Sequence, residues 1–147
     1  MCKNSYYSGI LQNLYSGSEG EVVTFLQLRY HSYILENFNK EIAQSLNEIA
    51  LEDLKHQDLL ANSIQMTSGD PKYLNSESKW INGRQIDYVK DIKQILALNL
   101  ESKEKSIIDY KIAISKIDNQ QIKSLLLSIL EDEEKHRDII KDLLKEI

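Results

Sequence analysis

Two five-residue stretches, EDLKH at 52–56 and DEEKH at 132–136, each set a carboxylate three residues before a histidine. On a helix that spacing turns both side chains to one face. Each pair offers an oxygen and a nitrogen, and such donors, gathered as four carboxylates and two imidazoles, suit two divalent metals, iron or manganese before zinc. The stretches are offset by eighty residues, and the same offset carries Asp53 to Glu133, His56 to His136, Asn39 to Asn119 and Glu21 to Glu101.

In an antiparallel helix hairpin, residues equidistant from the turn lie level. Glu21 and Asp53 are centred on residue 37, within the polar break ENFN, and Glu101 and Glu133 on residue 117, within KIDN. Each hairpin therefore sets one acid level with an acid-x-x-His pair. Residues seven apart share nearly one side of a helix. By that test Asp53 is flanked by Leu46 and Leu60, Glu133 by Leu126 and Ile140, Glu21 is followed by Leu28 and Glu101 by Ile108. Unpaired buried carboxylates cost several kcal/mol each, so acids in apolar stripes need protons or cations. The candidate ligands are Glu21, Asp53, His56, Glu101, Glu133 and His136, with Glu104 the alternative on the third helix. Metal-bound imidazoles usually donate their outer N–H to a carboxylate, so Asp132 is expected to support His56 and Glu52 to support His136. Lys55 and Lys135 are read as surface partners of acids. Tyr30 and Tyr110, nine residues from a ligand acid, are expected to face away from the site. His31 is expected at solvent or an interface, and Trp80 as an anchor covering the bundle.

Four helices must position these groups. Apolar residues recur at helical spacing over about 18–38, 40–69, 86–117 and 119–146. Ser18 and Glu21 have the form of a capping box, and Gly69 with Pro71 marks a helix end. Short joins link the first helix to the second and the third to the fourth, while a long one spans the middle, which predicts an all-α single domain of two antiparallel hairpins and one crossover. The 147 residues are 41% hydrophobic and 28% charged, with net charge −5 and no basic cluster to hold nucleic acid. No apolar run approaches a membrane span, and MCKNSYYSGI lacks a signal-peptide pattern, so a cytoplasmic protein is expected. The single cysteine, Cys2, excludes an intrachain disulfide or a Cys-x-x-Cys knuckle.

With EVVTFLQLRYHSY, EIALEDLKHQDLL, SGDPKYL and ILEDEEKHRDIIKDLL, the chain resembles the ferritin-like di-iron carboxylate superfamily over nearly its whole length. Ferritins, bacterioferritins, rubrerythrins and manganese catalases belong to that superfamily, and its ligand set is a Glu from each of two helices and Glu-x-x-His from each of the other two. The resemblance implies the six ligands above, two iron ions (manganese, or less suitably zinc, in their place) and an oxidoreductase acting on peroxide, oxygen or ferrous iron. It also implies an electron donor and a small-molecule oxidant as partners; a homodimer is the default assembly. Asp53 replaces the usual Glu, Leu28 stands where many members carry a tyrosine, and the single cysteine cannot build a rubredoxin centre. The chain ends with its fourth helix, so a storage cage is not expected. A non-catalytic bundle with a structural or lost metal site, working as an oligomeric or coat-type protein, is the alternative.

Overall fold

The computed structural model describes residues 4–147, so Cys2 lies outside the described residues. Five α-helices follow in order: α1 (Ser5–Ser16), α2 (Glu21–Leu35), α3 (Lys40–Met66), α4 (Ile92–Lys116) and α5 (Gln120–Lys145). The four long helices form the expected all-α bundle. Helix α2 packs most extensively on α3, and α4 on α5, giving two hairpins joined by the crossover at 67–91. Among the described residues, no helix is long and apolar enough to cross a membrane.

Sequence periodicity misses α1. Its Leu11, Leu14 and Tyr15 enter the core, and Gln12 donates to the carbonyls of Lys72 and Leu74, tying the crossover down. The capping box expected at Ser18 does not form: α2 begins at Glu21 behind Gly20, which has no side-chain cap. A Cβ at Gly20 would lie 2.7 Å from the Gly17 nitrogen and 2.9 Å from that of Ser16, so only glycine allows this tight α1–α2 junction. Helix α3 closes in a Schellman motif, with the Gly69 N–H donating to the Ile64 carbonyl at 2.8 Å. The left-handed residue in that motif is Ser68, at φ 68°, rather than the glycine.

Helix α4 starts later than its periodicity predicts, because Gln27 clamps the chain ahead of it. The Gln27 amide donates to the Asp87 carbonyl at 2.8 Å and accepts from the Asp87 N–H at 2.8 Å. Asp91 then caps the helix through the Gln94 N–H. His31 belongs to the same anchor, which corrects its expected place at solvent. It is 0% exposed, accepts from Asn99 Nδ2 at 2.9 Å, and lies 3.1 Å from the Asp87 carbonyl. Burial lowers its pKa and keeps the ring neutral. His31→Ala would leave the Asn99 donor and the Asp87 carbonyl unpaired in a dry site, and should destabilise the protein by about 2–4 kcal/mol, read from urea unfolding. Trp80, the expected anchor, is 63% exposed; the crossover is held by Gln12 and Gln27 instead.

The apolar core has two parts. One surrounds Leu60, Ile64, Leu126 and Ile129, the other Leu46, Ile49, Ile95 and Ile140. Between them on α3 and α5 lie Asp53, His56, Glu133 and His136, a polar layer enclosed above and below by dry packing.

Candidate metal centre

Hairpin geometry brings Glu21 from α2, Asp53 and His56 from α3, and Glu133 and His136 from α5 into that layer, all buried. Among the described residues, Glu21, Asp53, His56 and Glu133 offer ligand atoms that all lie within 4.8 Å of one another. His56 Nδ1 stands 3.4 Å from Glu21 Oε1, 3.3 Å from Glu133 Oε1 and 3.7 Å from Asp53 Oδ1. His136 Nδ1 lies 3.6 Å from Asp53 Oδ1. The outer nitrogens of both rings reach carboxylates on the opposite hairpin. His56 Nε2 is 2.9 Å from Asp132, and His136 Nε2 meets Glu52. Because an ionised carboxylate only accepts, each ring carries a proton on Nε2 and turns Nδ1 inward.

The expected ligand from α4 is not there. Glu101 is 67% exposed and pairs with Lys105 at 3.0 Å, and the alternative Glu104 is exposed as well. Helix α4 buries Leu96, Asn99, Lys103, Ser106 and Tyr110 at spacings of three and four, which turns Glu101 two residues, or about 200°, away from Lys103. Lys103, 1% exposed, takes the level in the site: its Nζ donates to Asp53 Oδ1 at 2.9 Å and Oδ2 at 2.8 Å. The same ammonium sits 2.8 Å from Glu133 Oε2, a charge contact without directed hydrogen-bond geometry. Tyr110 also corrects its expected outward orientation. It is buried, and its hydroxyl donates to Glu21 Oε1 at 2.6 Å. Counted from Lys103 rather than Glu101, Tyr110 is seven residues on and shares the inward face. Thr24 adds a donor to Asp53 Oδ2 at 3.2 Å.

Two of the three buried carboxylates, Asp53 and Glu133, thus share one ammonium. Burial alone would raise Glu133, yet Lys103 and then His56 hold it well below the usual carboxylate range. Glu21 is pushed far up by burial and by the charges of Glu133 and Asp53, and burial also raises Asp53 against the pull of Lys103. For His56, burial opposes the charge, but the carboxylates of Glu133, Glu21 and Asp132 around the ring prevail and lift the pKa to about 11. Burial likewise opposes the Lys103 charge, and Asp53 and Glu133 overcome it.

Glu21 Oε2, Glu133 Oε1 and the Nδ1 atoms of both histidines make no hydrogen bond. Buried polar atoms are nearly always satisfied, and here the unsatisfied ones face each other around one point. Bonds of roughly 2.1 Å at right angles separate neighbouring ligand atoms by roughly 3 Å, so modest contraction of the His56, Glu21, Glu133 and Asp53 cluster fits one divalent ion. The Lys103 ammonium stands between Asp53 and Glu133, two of the residues that the resemblance implies as ligands of a pair of ions. Asp132→Asn, which weakens the support of the His56 ring, should lower metal affinity about 10–100-fold, measured by competition with a chromophoric chelator.

The family model described as Rubrerythrin matches residues 13–144. The chain belongs to the rubrerythrin family. Among solved structures, this rubrerythrin-family chain is similar to KatB, a manganese catalase from Anabaena, at TM-score 0.92 and 19% identity, covering 99% of this chain and 74% of that one. It is also similar to a Rhodobacter capsulatus bacterioferritin, described with a metal-free dinuclear site and haem iron, at TM-score 0.83 and 17% identity, covering 99% and 87%. At these identities the likeness establishes the ferritin-like fold. A search of the curated proteins finds no match.

A cavity of about 170 Å³ opens on the surface beside the site, lined in part by Val23, Thr24, Gln27, Glu101 and Ser102. Thr24 borders it and also touches Asp53, so little more than one side chain separates solvent from the carboxylates.

Proposed function

We propose that this protein is a ferritin-like redox metalloprotein that holds iron or manganese in its carboxylate–histidine cluster. It acts on a small oxidant, peroxide or oxygen, or on ferrous iron, with electrons drawn from a separate donor. The observation that carries this reading is the set of unsatisfied inward atoms: Glu21 Oε2, Glu133 Oε1, His56 Nδ1 and His136 Nδ1. Atoms of that kind, buried and convergent, are costly without a cation.

Glu21, Asp53, His56 and Glu133 would hold the ion, with His136 alongside. A bound iron or manganese ion supplies a change of oxidation state and open coordination positions for a small substrate. The chain's own residues do the rest. The Tyr110 hydroxyl, its oxygen 2.6 Å from Glu21 Oε1, keeps a proton in the hydrogen bond between them. His56 and His136 span the distance from the dry interior to Asp132 and Glu52, which reach solvent and can exchange protons there. The apolar layers on either side exclude water from the reacting volume.

Expression with ample iron or manganese, followed by anaerobic purification, metal analysis and a peroxide-consumption assay with and without a reductant, tests the reading. Bound metal with turnover is expected, and the double change His56→Ala plus His136→Ala should abolish binding. The Lys103–Asp53 pair favours a second reading, a non-catalytic bundle that neutralises its own acids. Metal near zero, with stability indifferent to added iron or manganese, would reject the first reading in favour of the second.

A further inference from the structure

The α4 residue level with the ligands decides how much positive charge the layer can accept. A carboxylate there would join Glu21, Asp53 and Glu133 as a fourth negative charge, which two divalent ions would balance. Lys103 removes one negative charge and adds one positive, a change of two units, the charge of one divalent ion. Three carboxylates, one ammonium and one divalent ion sum to zero; a second ion would leave two uncompensated positive charges in a buried layer with apolar packing above and below it. Geometry agrees with the charge count. Nζ lies 2.8–2.9 Å from both Asp53 oxygens and 2.8 Å from Glu133 Oε2, and so fills the space between those two carboxylates. The Lys103 side chain is fully enclosed and has no exposed position in which to leave its charge.

We infer that the site takes a single divalent metal ion, held by Glu21, Asp53, His56 and Glu133, with the Lys103 ammonium standing as a fixed cation in place of a second ion. This rests on the metal-binding reading above and narrows it. The ammonium is part of the chain, so it neither exchanges nor changes oxidation state. Any change of oxidation state at the centre is confined to one ion.

Native mass spectrometry of the protein loaded anaerobically with excess manganese(II), cross-checked by elemental analysis, counts the ions directly. The wild-type chain should carry one ion and Lys103→Glu two. Should Lys103→Glu fail to fold, Lys103→Gln, which keeps the length and removes the charge, should exceed one ion per chain as manganese is raised. Two ions on the wild type would overturn the inference and leave the metal-binding reading intact. No ion on the wild type would overturn both. A count fixed at one in the variant that folds would show that Lys103 does not set the number, and the inference would fail. One ion on the wild type with no peroxide turnover would leave the inference standing and defeat only the redox part of the reading.

Discussion

Manganese(II) or ferrous iron, supplied at a hundredfold excess over its dissociation constant, should raise the thermal midpoint of the metal-free protein by about 10 °C. Binding to the native state alone adds about 2.7 kcal/mol at that ratio, and a chain of this size gains about 4 °C per kcal/mol. The gain comes from satisfying atoms that are otherwise buried without partners: Glu21 Oε2, Glu133 Oε1 and the inward nitrogen of His56. The same loading must displace protons. His56, with its pKa near 11 when metal-free, is charged at neutral pH, and Glu21 sits well above its ordinary value. An ion needs the neutral imidazole and the ionised carboxylate, so binding releases protons and apparent affinity falls as pH falls. For His56 the gain on raising the pH continues until about 11, at up to about tenfold per pH unit for each proton displaced. Calorimetry at one pH in buffers of different ionisation enthalpy reads the proton number; a binding heat independent of buffer would contradict it.

Lys103→Met should destabilise the metal-free protein by about 3–5 kcal/mol, the usual loss when one member of a buried ion pair is removed. Methionine fills a similar volume, so the deficit is electrostatic rather than a cavity. Asp53 and Glu133 lose the one ammonium they share. Both then retain a charge only at high cost, and one must take up a proton to fold. Urea unfolding of wild type and variant in chelator gives the difference directly. Lys105→Met, two residues on and exposed beside Glu101, should leave stability nearly unchanged.

Most of the bundle could be read from the chain because its apolar residues recur so regularly, and three helices disclosed their site residues through apolar neighbours seven positions away. Asp53, between Leu46 and Leu60, and Glu133, between Leu126 and Ile140, are buried for the reason their flanks imply. Helix α4 misleads because its inward residue at the level of the site is a lysine rather than an acid. Lys103 is flanked seven positions away by Leu96 and Tyr110, both buried, and passes the same test more cleanly than Glu101, whose neighbour Ile108 is exposed. The hairpin turn could not separate the two, since residues 103 and 133 are centred on 118 and residues 101 and 133 on 117, both in the same break. His31 and α1 escape helical periodicity for a different reason. Their burial depends on the crossover and on contacts distant in sequence, through Asp87 and Asn99 for His31 and through Lys72 and Leu74 for α1. Helical periodicity carries no information about such contacts.

The direct polar bonds of the buried layer mostly run from one hairpin to the other. Lys103 of the second hairpin holds Asp53 of the first, Tyr110 holds Glu21, Asp132 holds His56, and Glu52 holds His136. Apolar layers tolerate sliding, because one leucine can replace another in a groove. These bonds do not, since a slip of a single turn would break them together and bury their charges unpaired. The layer that offers itself to a metal therefore also sets the docking alignment of the two halves. A cluster kept for that purpose would persist through selection even in a descendant that had given up its chemistry.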